Sequence, residues 1–290
     1  MRRIVLALAI LMLAALPLFA QTELPEEQQN LLDELRDAFE NRDSWDSYSR
    51  STQTSTRIAL TVTGEDVNQW RTDTITLEAA ADIDREAEAM QGSVSRSESL
   101  ASSDEGTSSD RAQIEFVALD GDVFVSDDGD FAEADLNNFE DFRLEALVEM
   151  GFEVPAELLD NATAVLDLGV RRDSRRRDIQ SYEVTLDFTE SLPLLDLDLD
   201  AMLREFNGIA ELGALSEAVI EGSSLRLIAG VDTATGRLTQ TALVVEIGVE
   251  MQGEPVVAVA AGDGRFTLEL SQELQNAYFN INDDFDIEAP

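Results

Sequence analysis

Three stretches of this 290-residue chain carry side chains that could do chemistry. In "LLDLDLDAMLREF", Leu194 to Phe206, Asp196, Asp198 and Asp200 occupy the opening ligand positions of a calcium-binding loop, but the glycine such a loop needs is Ala201 and its closing glutamate is Asn207. In "DDGD", Asp127 to Asp130, carboxylates and a glycine share a turn that lacks the remaining ligands. Neither reads as a metal site, and no cofactor is implied. The third stretch, "RRDSRRR", places Arg171, Arg172, Arg175, Arg176 and Arg177 close together. Guanidinium forks match phosphate and carboxylate, so these five could dock an anionic headgroup or an acidic partner. The preferred reading is plainer: carboxylates are abundant enough for the run to neutralise the protein's own acids.

The missing side chains narrow the chemistry further. All 20 basic residues are arginine, and there is no histidine or cysteine. The usual neutral-pH general base, the most reactive nucleophile and the Schiff-base former are therefore absent. A paired-carboxylate glycosidase would still be open to such a chain, but 2 tryptophans and 3 tyrosines are few for a sugar cleft. A non-enzymatic role is expected.

The net charge of −40 repels nucleic acid and anionic surfaces at long range, which argues against general DNA or RNA binding. The opening "MRRIVLALAILMLAALPLFAQT" has paired arginines, an apolar run and a small residue at Ala20, the form of a secretory signal peptide. Residues 1–20 are read as that signal and 21–290 as a single extracytoplasmic domain, periplasmic or secreted, expected as a monomer. No cysteine follows the apolar run, so a lipid anchor is not expected. A chain of this length can bury a core without disulfides.

The elements that would position these groups follow from periodicity. "LPEEQQNLLDELRDAFENRD" reads as an amphipathic helix through Leu31, Leu32, Leu35, Ala38 and Phe39. "RIALTVTG" and "RTDTITLEAAADI" read as neighbouring strands. The serine-rich stretch 91–110 reads as a mobile hairpin tip or loop. A hairpin follows around Asp120-Gly121. From Phe131 to about Leu168 a helical insert is expected, with Pro155 opening its second helix. "QSYEVTLDFTE" alternates Tyr182, Val184, Leu186 and Phe188 against polar residues, as in a sheet with one wet face. The opening stretch then reads as extended to Asp198 and helical from Asp200. "SLRLIAGVDTATGRLTQTALVVEIGVEM" is a long hairpin, and "RFTLEL" a further strand. The total is nine to eleven strands and three or four helices, an α+β order.

A leader, an amphipathic first helix, long wet-and-dry strands, the insert, "YEVTLDF" leading to a helix, the "VDTATGRL" hairpin and the ending "NINDDFDIEAP" together give a layout that resembles the bacterial lipoprotein-carrier superfamily, including the LppX/LprG-like lipid-binding lipoproteins. The resemblance implies a strongly curved, incomplete antiparallel barrel wrapped around the N-terminal helix and the insert. It also implies a concave face sheltering lipid or acyl chains, and an envelope protein as a possible partner. The dry strand faces supply the candidate lining: Leu60, Val62, Ile75, Leu77, Phe116, Val184, Leu186, Phe188, Leu227, Val245 and Ile247. The alternative is that these residues are ordinary core and the fold serves as a sensor or interaction module.

Overall fold

A computed structural model describes residues 24–65, 67–104, 106–119, 122–126, 129–134, 153–195, 212–253, 256 and 264–288. The leader, Asp196, Asp198 and Asp200, and most of the expected helical insert lie outside the described residues.

Helix α1, Glu26–Asp43, starts after Pro25, with Glu26 and Glu27 in the first turn and Arg42 in the last, each complementing the helix dipole. Leu32, Leu35, Ala38 and Phe39 recur on one buried face. Six strands follow: β1 (Ser47–Thr63), β2 (Asn68–Asp84), β3 (Ala89–Ser102), β4 (Gly106–Leu119), β5 (Asp122–Ser126) and the short β6 (Ala132–Glu133). A 3-10 turn, Ala156–Asn161, leads into β7 (Ala162–Arg172) and β8 (Asp178–Leu186). After α2 (Phe188–Ser191), a 3-10 turn at Leu192–Leu195 and α3 (Leu212–Glu221), the chain returns through β9 (Ser223–Asp232), β10 (Leu238–Gln252) and β11 (Arg265–Phe279).

All eleven strands join one antiparallel sheet in the order β6-β5-β4-β3-β2-β1-β11-β10-β9-β8-β7. Its two end strands, β6 and β7, do not pair with each other, so the sheet is an open, curved half-barrel. Every neighbouring pair is consecutive in sequence except β1 and β11, which run together from Ser49 opposite Phe279 to Thr63 opposite Arg265. Gly92 marks a tight point in the sheet: a Cβ there would sit 2.1 Å from the carbonyl oxygen of Ala80 on β2.

Four expectations are corrected. Residues 91–110 do contain a hairpin tip, but it is confined to the turn near Asp104, and the rest is not loop but paired strand of the β3–β4 hairpin. Their serines suit strands because both sides of the ladder are paired, so backbone hydrogen bonds hold what side-chain hydrophobicity does not. The stretch from Ala162 to Leu168 is strand rather than helix; two register shifts against β8, one at Gly169 with φ +83°, disguise its alternation. Phe188 is not a strand residue, because Asp187 caps a helix by accepting the N–H of Glu190 at 3.0 Å. Leu194 and Leu195 are not extended but close a 3-10 turn.

Candidate functional site

Residues directly opposite in an antiparallel ladder share a face, so the registers fix which side chains line the inside of the half-barrel. On β1 these are the even positions from Tyr48 to Val62, opposite Ile75, Leu77, Ala79 and Ala81 of β2. The row continues through Gly92 and Val94 of β3 to Ile114 and Phe116 of β4 and Val125 of β5. In the other direction it runs through Leu268 and Leu274 of β11, Leu243, Val245 and Ile247 of β10, Leu225 and Leu227 of β9, and Val184 and Leu186 of β8. Every strand residue among the candidate lining stands on this one face.

The lining divides into two apolar clusters. The larger contains Val62, Val184, Leu186, Phe188, Leu227, Val245 and Ile247, with α1 laid over them through Leu32, Leu35 and Phe39. Burying each such side chain contributes about 1.5–3 kcal/mol, which is what fixes α1 in place. Polar ties secure it: Tyr182 donates to Glu34 at 2.8 Å, the Val165 N–H donates to Gln28 at 3.1 Å, and Arg36 pairs with Asp160 at 3.0 Å. The described helices pack chiefly on β7, β9 and β10.

The smaller cluster, on β2–β4, holds Leu77, Ala79, Ala81, Val94, Ile114 and Phe116. Leu77 and Phe116 are 0% and 1% exposed. Leu60 and Ile75 are half-buried. Farther along β2–β4 the inner face turns polar, with Arg71 on Asp73 at 2.8 Å and Arg96 on Glu98 at 3.4 Å.

Where α1 ends, a charged group is built into the inner face, and nothing in the periodicity pointed to it. Glu153 accepts from the Tyr48 hydroxyl and pairs with Arg50 at 3.0 Å and Arg85 at 3.5 Å. Arg42 donates to the Val154 carbonyl at 2.8 Å. Trp45, Tyr48 and Tyr278 meet edge to face, with centroids 5.7 to 6.0 Å apart. Burial, then the nearby Glu153 carboxylate, pushes the Tyr48 hydroxyl well above the usual tyrosine range. Burial does the same to Tyr182, helped by Glu34. Tyr278 is also raised by burial, against the opposing charge of Arg42. All three shifts favour the neutral hydroxyl. Next to this group Thr52 donates to Asn276 at 2.7 Å, while Asn276 Nδ2 finds no partner among the described residues.

The arginine run is split by its hairpin turn. Arg172 pairs with Asp178 at 3.1 Å and Arg177 with Asp173 at 2.8 Å, so part of the run does neutralise local acids. N–H groups of Arg177 and Arg175 and the Arg177 side chain hold the Asp173 carboxyl below its ordinary range, outweighing the largest single contribution, desolvation, which opposes them. Arg171, Arg175 and Arg176 make no ion pair among the described residues. Three cavities lie outside the apolar lining. One sits beside the arginine turn, and two grooves of about 450 and 470 Å3 cross β1–β4, with Phe116 the one candidate residue among their walls. Among the described residues no group of carboxylates is arranged to hold a metal, and no helix is long and apolar enough to cross a membrane.

No protein-family model matches the chain, and no curated protein does. Among solved structures, LprF from Mycobacterium bovis is similar over 90% of this chain and 97% of that one, at 10% identity and a TM-score of 0.46. A DUF1329 family protein from Desulfovibrio piger covers 89% and 94%, at 8% identity and a TM-score of 0.23. A β-barrel-like DUF1849 protein from Brucella abortus covers 81% and 98%, at 9% identity and a TM-score of 0.16.

Proposed function

We propose that the protein is an extracytoplasmic, non-enzymatic carrier that holds a lipid, lipoprotein acyl chains or another long apolar molecule against the inner face of its half-barrel. The observation behind this reading is the extent of that face. Apolar residues collect on one side of an open sheet from β5 to β8, whereas α1 rests on only part of it. An apolar concavity with a few polar groups is the usual form of a small-molecule site. The inner-face candidates Leu60 and Ile75, half-buried where the others are buried, are the entry points this reading gives the ligand. The leader-like residues 1–20 supply the route out of the cytoplasm, and an envelope protein would then deliver or receive the cargo.

One observation favours a second reading. Leu77, Val94, Ile114 and Phe116 are buried by the chain itself, as they would be in a sensor or interaction module whose core fills itself. Native mass spectrometry of the purified chain, with solvent extraction of a second sample, separates the two. A co-purifying lipid that extraction releases, or uptake of an offered fatty acid or phospholipid, supports the carrier. A clean apo mass with no uptake sinks it and leaves the module.

A further inference from the structure

The β7–β8 turn, the β9–β10 turn and the end of β11 enclose a cavity of about 220 Å3 whose walls include Arg175, Arg177, Arg237, Asp232, Thr235 and Phe279. Its chemistry runs against the rest of a chain that carries 60 acidic residues. With so many carboxylates available, most described arginines pair with one; Arg111, Arg171, Arg175, Arg176 and Arg237 do not, among the described residues. Two of those five, Arg175, which is exposed, and Arg237, line this cavity. The Arg175 guanidinium lies 4.5 Å from the centre of the Phe279 ring, and Arg237 is half-buried. Arg177 is set in place by Asp173, which accepts from its Nε at 2.8 Å. The acid in the wall, Asp232, is turned toward its own backbone, accepting the N–H groups of Ala234 at 2.8 Å and Thr235 at 3.2 Å.

We propose that this cavity is a binding site for a phosphate-type oxyanion, with Arg175 and Arg237 as the uncommitted forks and Arg177, already paired with Asp173, as a fixed wall beside them. A planar carboxylate presents two oxygens. Arginines brought to one cavity by two separate hairpins are better matched by a tetrahedral group with several acceptors. The site is separate from the apolar inner face and stands whether or not that face takes a ligand. A soluble phosphate ester and a phospholipid headgroup offer the same chemistry, so the test has one arm for each.

Inorganic phosphate is titrated calorimetrically into the full chain at fixed ionic strength, and vesicles of phosphatidylglycerol or phosphatidylcholine are co-sedimented with it. The variants are Arg175→Ser with Arg237→Ser, and Arg111→Ser, which removes an unpaired charge on β4. Charge-assisted hydrogen bonds of this kind make the expected loss about tenfold per guanidinium removed. Saturable phosphate binding that the double variant loses and Arg111→Ser keeps establishes the site with a soluble source. The same pattern confined to phosphatidylglycerol vesicles establishes it with a headgroup. If the double variant fails to fold by circular dichroism, Arg237→Lys, which keeps charge but loses the fork, must show a partial loss. Absence of both kinds of binding in the unaltered chain, or binding indifferent to these substitutions, overturns the proposal.

Discussion

Replacing Phe116 with alanine removes the one aromatic ring that the smaller inner cluster has among the described residues. The ring is 1% exposed and stands on the same face as Ile114. Directly across β3 it faces Gly92, and across β5 it faces Val125. Gly92 has no side chain to swing into the gap, and the close approach of its backbone to Ala80 limits how far β3 can move to close it. Poor relaxation places the cost in the middle of the range for phenylalanine truncation in a core, about 4 kcal/mol. Equilibrium urea unfolding measures it, with Leu227→Ala in the larger cluster as the reference, expected to lose about 2–5 kcal/mol. The hole left by the ring is apolar, and voids of that kind take up small apolar molecules, so benzene should restore part of the loss. A loss below about 1 kcal/mol for Phe116→Ala would refute the reasoning, because no packed ring in a stiff sheet comes away so cheaply.

Glu153→Gln strips the carboxylate from Arg50, whose side chain is 3% exposed, and should cost about 3 kcal/mol in the same assay. A change under about 1 kcal/mol would mean that Arg50 draws its compensation elsewhere. Tyr48, Tyr182 and Tyr278 are all raised above the ordinary tyrosine value of about 10, so above that pH the folded chain holds protons that the unfolded chain has released. The stabilisation is therefore complete below pH of about 10 and drains away as pH climbs past it. Phenolate absorbance should rise only together with the loss of native circular dichroism, and a tyrosine ionising reversibly near its ordinary value in the folded chain would contradict the burial described.

Much of the inner face was legible because period two is a direct readout of sheet sidedness. Val184 and Leu186, the alternation from Leu225 to Val231, and that from Leu243 to Val249 all land inside. What failed has identifiable causes. Residues 91–110 carry too few large apolar side chains to announce a strand that backbone pairing on both sides holds in place. Phe188 fits the alternation by accident, although "DFTE", with Asp187 and Glu190 at the spacing of a capping box, signalled the helix. Arg237 could not be found at all, since a single arginine in a turn gains meaning only from the separate turn that the fold sets beside it. Glu153 was hidden for the same reason: its partners Tyr48, Arg50 and Arg85 are distant in sequence.

The seam between β1 and β11 also sets an order of events in time. Both halves of the sheet, β1 to β6 and β7 to β11, pair strands that are consecutive in sequence, most of them across short connections, with β8 and β9 joined through α2 and α3, so each half can zip from local contacts, which is quick. The seam joins Ser49 to Phe279 and Thr63 to Arg265, so it must wait for nearly the whole chain. During synthesis β1 is among the first strands made and holds a bare edge until β11 arrives. That edge is the kind of template on which unfinished chains stick together. Here it opens with "SYSRSTQTST", hydroxyls, an amide and an arginine around one tyrosine, which gives a waiting edge little apolar surface to offer a neighbour.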